Sequence, residues 1–347
     1  MTALPSASSA TENGNGPPRL RHVVHGVAGS ARLVDYMKDR LALVPVTEIG
    51  DLITSGRVDI STRGADPEAA RAPARTMDPV SDGDCIGIDA AALAALEAAS
   101  RWNPPWDHPL VLLHEDDDLL VVVKPAGMHV HPLGDRREHT LVNALVHHAG
   151  GRPGRPWATW RPHTVQRLDV VVSGLLLVAK NAACKTEFVR AQKRKAIRRT
   201  YRAMVSGVVA SEGGVIDAPI GREHGRGYRR AVLPVESGGQ EAVTRWKRIE
   251  SLDDRTLVEL QPESGRTHQL RVHLASLGHP IVGDGLYATD AAEVLDRLGI
   301  APIRPIALRA TGLVFVHPKS GKELSFESPP PPDFGLGQLA DCYVAEP

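Results

Sequence analysis

Apolar and polar positions alternate with two different periods along this chain. From Arg32 onward, Leu33, Tyr36, Met37, Leu41 and Leu43 recur near helical spacing. A second helix is predicted from Glu48 to Thr54, closed by Ser55-Gly56. Val58-Asp59-Ile60 reads as a short strand, as does Cys85-Ile86-Gly87-Ile88 after the turn Val80-Ser81-Asp82-Gly83-Asp84. Residues 90–107 read as an alanine-rich helix running into Trp102-Asn103-Pro104-Pro105-Trp106. Beyond it, a strand running from Asp116 through Val123 breaks at Lys124-Pro125-Ala126-Gly127, and a helix is predicted from an N-capping Thr140 to Gly150-Gly151. Leu175 to Ala179 is strand-like, and Asn181 can cap the helix that follows. Strands at 242–250 and 255–262 form a hairpin turning at Asp253-Asp254. A short helix then starts at an N-capping Thr267, turns Leu270, Leu274 and Leu277 to the core, keeps one polar face, and stops at Gly278 and Pro280.

These elements divide the chain. Residues 1–20 lack the apolar surface needed to offset chain entropy and read as a disordered tail. A small α/β module is expected over 21–100, a linker over 101–107, the main domain over 108–335 and a tail over 336–347. The small module resembles the alpha-L RNA-binding module found in a ribosomal small-subunit protein and ahead of several RNA-modifying enzymes. Its basic residues, Arg32, Lys38, Arg40 and Arg57, are few, so a helical cap that only packs on the main domain is the other reading.

Charge narrows the function classes. The 347 residues carry 41 Lys plus Arg against 41 Asp plus Glu, so a polyanion can be attracted only by a local patch. Such a patch is present: Arg190, Lys193, Arg194, Lys195, Arg198, Arg199 and Arg202 have no acid after Arg190, whereas a merely solvated face mixes the signs. A second basic stretch, Arg222, Arg226, Arg229 and Arg230, lies in a glycine-rich loop. Cations in the last turn of a helix also suit its dipole, which is the structural reading of the first patch. Three widely spaced cysteines fit neither a disulfide framework nor a Cys-x-x-Cys site and point to a reducing cytoplasm. Neither a secretory leader nor an apolar window of membrane-spanning length is expected.

Cofactor motifs are missing. Neither phosphate-loop nor dinucleotide fingerprint occurs, and no serine sits in a nucleophile elbow. Of the 15 histidines, His268 and His273 are five apart and diverge on a helix, and His129 and His131 have no partner at a metal-ligand spacing. No cofactor and no metal are expected. What remains is a carboxylate: Gln166-Arg167-Leu168-Asp169 leads through Val170-Val171-Val172 into Ser173-Gly174, a loop that brings Asp169 to a sheet edge. His268 and Arg271, at i and i+3, point the same way, and Arg271 can pair with Asp169.

Four ordered motifs then carry a resemblance. Lys124-Pro125-Ala126-Gly127, Arg167-Leu168-Asp169 with Ser173-Gly174-Leu175-Leu176-Leu177, Tyr201 in Arg199-Thr200-Tyr201-Arg202-Ala203, and Gly265-Arg266-Thr267-His268-Gln269-Leu270-Arg271-Val272-His273 resemble the RluA family of RNA pseudouridine synthases. The similarity continues through His279 to Tyr287 and the segment Phe315-Val316-His317-Pro318. It implies an α+β fold with a mixed, largely antiparallel central sheet flanked by helices, and isomerisation of uridine to pseudouridine in structured RNA, rRNA favoured and tRNA possible. By resemblance Asp169 is the catalytic carboxylate, Tyr201 packs on the flipped base and helps remove the C5 proton, and Arg271 pairs with Asp169. Lys124, Arg167, Arg194, Lys195, Arg198, Arg199, Arg266 and His268 are the expected RNA contacts, and a monomer is the expected state. Three places depart from the family pattern: Gln166 replaces a histidine, Val170 to Val172 replace polar residues, and Arg309 stands where a histidine is usual. The alternative is an RNA-binding protein of this fold that has lost activity and acts in ribosome assembly or RNA folding.

Overall fold

In a computed structural model the described residues are 18–65, 73–98, 104–133, 137–152, 157–225, 228–288, 305–331 and 334. Most of the expected tail over 1–20, part of the linker and the whole of 336–347 lie outside them. The chain forms two compact units, one of residues 1–109 with 131–162 and one of 110–130 with 163–347.

In the first unit, β1 (Arg19–Val23), β5 (Cys85–Asp89) and β3 (Val58–Ser61) form an antiparallel sheet in the order β1-β5-β3, and β2 (Ala31–Arg32) pairs with β4 (Pro79–Val80). Residues 19 and 20, expected in the tail, are therefore strand, pairing with Asp89 and Ile88. Helices α1 (Leu33–Arg40) and α2 (Val46–Thr54) bury Leu33, Met37, Ile49 and Ile53, while α3 (Ala90–Ala98) follows β5 directly. The helix predicted from Thr140 is α4 (Leu141–His148), closed by a full capping box between Thr140 and Asn143. Basic side chains of this unit are largely engaged. Arg57 pairs with Asp89, Arg19 and Arg21 with Asp59, and Arg32 with Asp35, while Arg40 lies over the Tyr36 ring.

The second unit is built on a sheet of ten strands. Its path is β11-β14-β15-β10-β16-β9-β7-β6, with β17 on β16 and β8 on β9. These strands are β6 (Val111–Glu115), β7 (Leu119–Lys124), β8 (His163–Thr164), β9 (Ser173–Ala179), β10 (Arg198–Ser206), β11 (Gly213–Asp217), β14 (Val243–Ser251), β15 (Arg255–Pro262), β16 (Leu308–Val316) and β17 (Glu323–Glu327). A separate hairpin joins β12 (Ile220–Arg222) to β13 (Arg230–Val232). Among the described residues only β9 and β16 run parallel; every other pair of this sheet is antiparallel. The central strands β7 and β9 are apolar on both faces, as their uninterrupted Leu and Val runs require, whereas β15 alternates. One face is covered by α5 (Ala182–Lys193), capped by Asn181, whose Cys184 and Phe188 pack with Leu175, Leu177 and Phe315. Near the other, Val272 of α6 (Gln269–Ser276) packs with Ile220, Ala242 and Tyr287.

The parallel joint between β9 and β16 is the tightest point of the sheet. Gly174 has φ +119, and a Cβ there would overlap the carbonyl oxygen of Ala310 and lie 2.6 Å from its amide nitrogen. Only glycine lets the two backbones approach so closely. Gly174→Ala is expected to cost about 3 kcal/mol or more, from overpacking added to backbone strain, read as a fall in the urea midpoint.

Candidate active site

Asp169 lies in a loop, one turn before β9. The amide of Val172 donates to the Asp169 carbonyl at 3.0 Å, and the Val170 carbonyl accepts from the Gly127 amide at 2.7 Å. Val171 and Val172 are buried, and the Val171 carbonyl accepts from the Ile306 amide. The three valines that depart from the family pattern thus seat this loop by burial and backbone hydrogen bonds. Gln166 is buried too: its Nε2 donates to the Leu175 carbonyl at 3.4 Å, and its Oε1 has no hydrogen-bond partner among the described residues. Arg309 donates to Ser173 Oγ at 3.2 Å and to Ser328 Oγ at 2.7 Å, tying the start of β9 to the segment after β17.

Lys124 corrects the sequence reading. It was expected to touch RNA, yet it is completely buried, and its ammonium donates to the carbonyls of Pro125 (2.7 Å), Met128 (2.9 Å) and Val170 (3.4 Å). Three N–H groups on three carbonyls join the Lys124 turn to the Asp169 loop. Burial pushes its pKa down to about 7, opposed by the Asp169 charge. Between about 7 and the unfolded value the unfolded chain holds a proton that the folded one does not, so this group makes stability rise with pH across that window. Lys124→Met is expected to remove that slope, and urea titrations of both proteins at about pH 7 and about pH 9.5 check it.

Asp169 keeps 27% of its side chain exposed, and Arg271 Nη1 lies 3.3 Å from its Oδ2. Arg271 is itself anchored from behind: Nε and Nη2 grip the two oxygens of Asp284 at 2.7 and 2.8 Å, and Tyr287 stacks on the guanidinium at 5.0 Å. The pair is buried, Asp284 almost completely, and the neighbouring carboxylates raise the arginine's pKa against the opposing effect of burial. A bidentate partner fixes the fork and leaves the Nη1 amino group to face Asp169. His268 brings Nε2 to 4.0 Å from the same oxygen. Tyr201 lies beside a bulge in β10, opposite Ala310 and so beside the joint that Gly174 closes. Burial holds its hydroxyl above the ordinary value, so it is neutral near pH 7.

Helix α6 differs from its prediction. His268, not Thr267, is the N-cap, in a left-handed conformation at φ 58. Residues 269–274 are all buried, leaving no polar face, while Leu277 is 44% exposed because it falls past the helix end. The polar side chains on α6 are spent inside the fold. Gln269 bonds to Ser264, Val243 and Thr244, and His273 to Thr244 and Ala218.

The basic run is less bare than its sequence. Lys195 meets Glu263 at 2.7 Å, Arg198 meets Glu323 at 3.4 Å, Arg202 meets Glu259 at 3.9 Å, and Arg199 donates to the Ser264 carbonyl. Lys193 and Arg194 have no acidic partner among the described residues, nor has exposed Arg167; Arg266 donates to the Glu241 carbonyl. Exposed pairs of this kind are worth about 0–1 kcal/mol each, so phosphate can displace the carboxylates. A possible metal cluster of Asp116, Asp118 and His317 is already knitted by hydrogen bonds. His317 Nδ1 accepts from the Lys319 and Ser320 amides, and Asp116 Oδ1 from those of Asp118 and Leu119.

Asp284 and Tyr287 escaped the sequence reading as site residues. The signal available was an aspartate between Gly283 and Gly285 in an otherwise apolar stretch, since a buried carboxylate needs a cation.

Comparison with known proteins gives a consistent picture. Residues 118–276 match a family model described as RNA pseudouridylate synthase. The ribosomal large subunit pseudouridine synthase D of Zymomonas mobilis is 39% identical over 234 residues, covering 67% of this chain and 73% of that protein. That of Vibrio cholerae is 38% identical over 246 residues, covering 69% and 73%. Among solved structures, human RNA pseudouridylate synthase domain containing 1 superposes with a TM-score of 0.51 at 26% identity, covering 69% of this chain and 89% of the other.

Proposed function

Because the chain belongs to the RNA pseudouridylate synthase family, and is an RNA pseudouridine synthase, we propose that it isomerises specific uridines of structured ribosomal RNA, with Asp169 as the catalytic carboxylate. The observation that carries this is one partly exposed carboxylate held by an arginine that is itself fixed by a buried partner. In the reaction the bond from ribose C1′ to N1 breaks and one from C1′ to C5 forms. The C5 hydrogen leaves as a proton while N1 gains one, so the balance calls for no external electron carrier. Asp169 meets the ribose, Arg271 holds and orients the carboxylate, and Tyr201 supports the flipped base as a neutral ring rather than a phenolate.

The names of the relatives, ribosomal large subunit pseudouridine synthases, support ribosomal RNA as the substrate class. Arg167, Arg194, Lys195, Arg198, Arg199 and Arg266 are the proposed RNA contacts, with His268 nearer the uridine. No helix among the described residues is long and apolar enough to cross a membrane. A ribosomal RNA substrate favours the cytoplasm as the site of action. Tritium release from C5-labelled uridine RNA tests the reaction, and mapping pseudouridines in RNA from a deletion strain tests the substrate. Release from ribosomal RNA is expected; none from ribosomal or transfer RNA pools would leave the binding-only alternative.

A further inference from the structure

His268 is held in a backbone conformation that glycine adopts freely and other residues rarely do. Its side chain accounts for the choice. The ring meets Tyr287 edge-on, with centroids 5.7 Å apart and an interplanar angle of 81°, and Nδ1 lies 2.7 Å from the Tyr287 hydroxyl. That hydroxyl also accepts the Arg230 amide at 3.0 Å. A phenol has one hydrogen and two lone pairs; with one lone pair used by Arg230, it meets Nδ1 either by donating its hydrogen or by accepting on the second lone pair, and the carboxylate facing Nε2 favours the first. The proton of the neutral ring then sits on Nε2, the nitrogen 4.0 Å from Asp169 Oδ2.

We propose that His268 is a positioning residue, fixed by Tyr287 as the Nε2–H tautomer, whose N–H joins Arg271 on Oδ2 of Asp169 and turns Oδ1 to the uridine. This rests on the reading of Asp169 as the catalytic carboxylate. The 4.0 Å separation closes to a hydrogen bond when substrate excludes water, as catalytic contacts tighten in the bound complex. Burial lowers the ring's pKa to about 4; Asp169 and Asp284 oppose it, and Arg271 and Arg230 add to it. The ring is therefore uncharged near neutrality, and orients the carboxylate without clamping it in a second ion pair.

Nitrogen NMR of histidine-labelled full-length protein without RNA reads the tautomer. The His268 ring is expected to be protonated at Nε2 alone from about pH 8 to about pH 5, and to become a mixture of tautomers in Tyr287→Phe. In single-turnover and steady-state assays, His268→Leu is expected to lower kcat about 10²-fold with KM within about twofold, in a folded protein whose melting temperature is modestly lower because the bond to Tyr287 is lost. His268→Gln, whose side-chain amide can place an N–H where Nε2 stood, is expected to recover about a tenth or more of wild-type kcat. A proton on Nδ1, wild-type kcat in His268→Leu, or equal losses in the Leu and Gln variants each overturn the proposal. The tautomer is measured without substrate, so an inactive wild type, which would sink the reaction reading as well, is told apart from a misassigned ring.

Discussion

Asp169→Asn is expected to abolish pseudouridine formation, lowering kcat by about 10⁴-fold or more, while leaving the melting temperature near that of the wild type. The loss follows from chemistry: an amide can neither act as a carboxylate toward the ribose nor take up a proton as one. The retained stability follows from geometry. Arg271 keeps both bonds to Asp284 when the Asp169 charge is removed, so no buried cation is left alone. Asp169 itself is partly exposed and approaches Arg271 at 3.3 Å, the longest of the three contacts. Tritium release paired with a thermal melt checks both halves; wild-type turnover in the variant would remove Asp169 from the reaction.

Asp284→Ala is expected to do the reverse first, destabilising the fold by about 3–5 kcal/mol, because it strands a buried guanidinium. Asp284 is 1% exposed and Arg271 7%, so water cannot replace the lost partner without opening the core around α6. Activity falls as well, since Arg271 then loses the fork that aims it at Asp169. A double variant, Arg271→Met with Asp284→Leu, is expected to recover most of the stability and none of the activity, because a buried ion pair costs desolvation that an apolar pair does not. Urea midpoints of Arg271→Met, Asp284→Leu and the double variant measure the coupling. A single variant as stable as wild type would mean that the pair is hydrated.

Local signals in the sequence were sufficient where the structure is local. Thr140 and Asn181 were readable as caps because a cap needs only a side-chain oxygen and the amides two or three residues on. The hairpin of β14 and β15 was readable because an alternating pattern and a turn suffice. Start positions were less legible: His268 displaces Thr267 as the cap because its ring is drawn to Tyr287, nineteen residues later. The basic run between Arg190 and Arg202 looked unopposed because Glu259, Glu263 and Glu323, which partly neutralise it, arrive from β15, the turn after it and β17.

The opposite lesson comes from Lys124 and Arg271. Both are cations in motifs that the chain displays in plain order, and order alone placed Arg271 correctly beside Asp169 but sent Lys124 to the RNA. Ordered motifs were enough to point to the family and the α+β class, and residue types and spacing to the continuous apolar runs of β7 and β9. Which charges face solvent was decided only by folding. A charge's fate depends on partners far along the chain, Val170 for Lys124 and Asp284 for Arg271, and on a desolvation cost that no local pattern records.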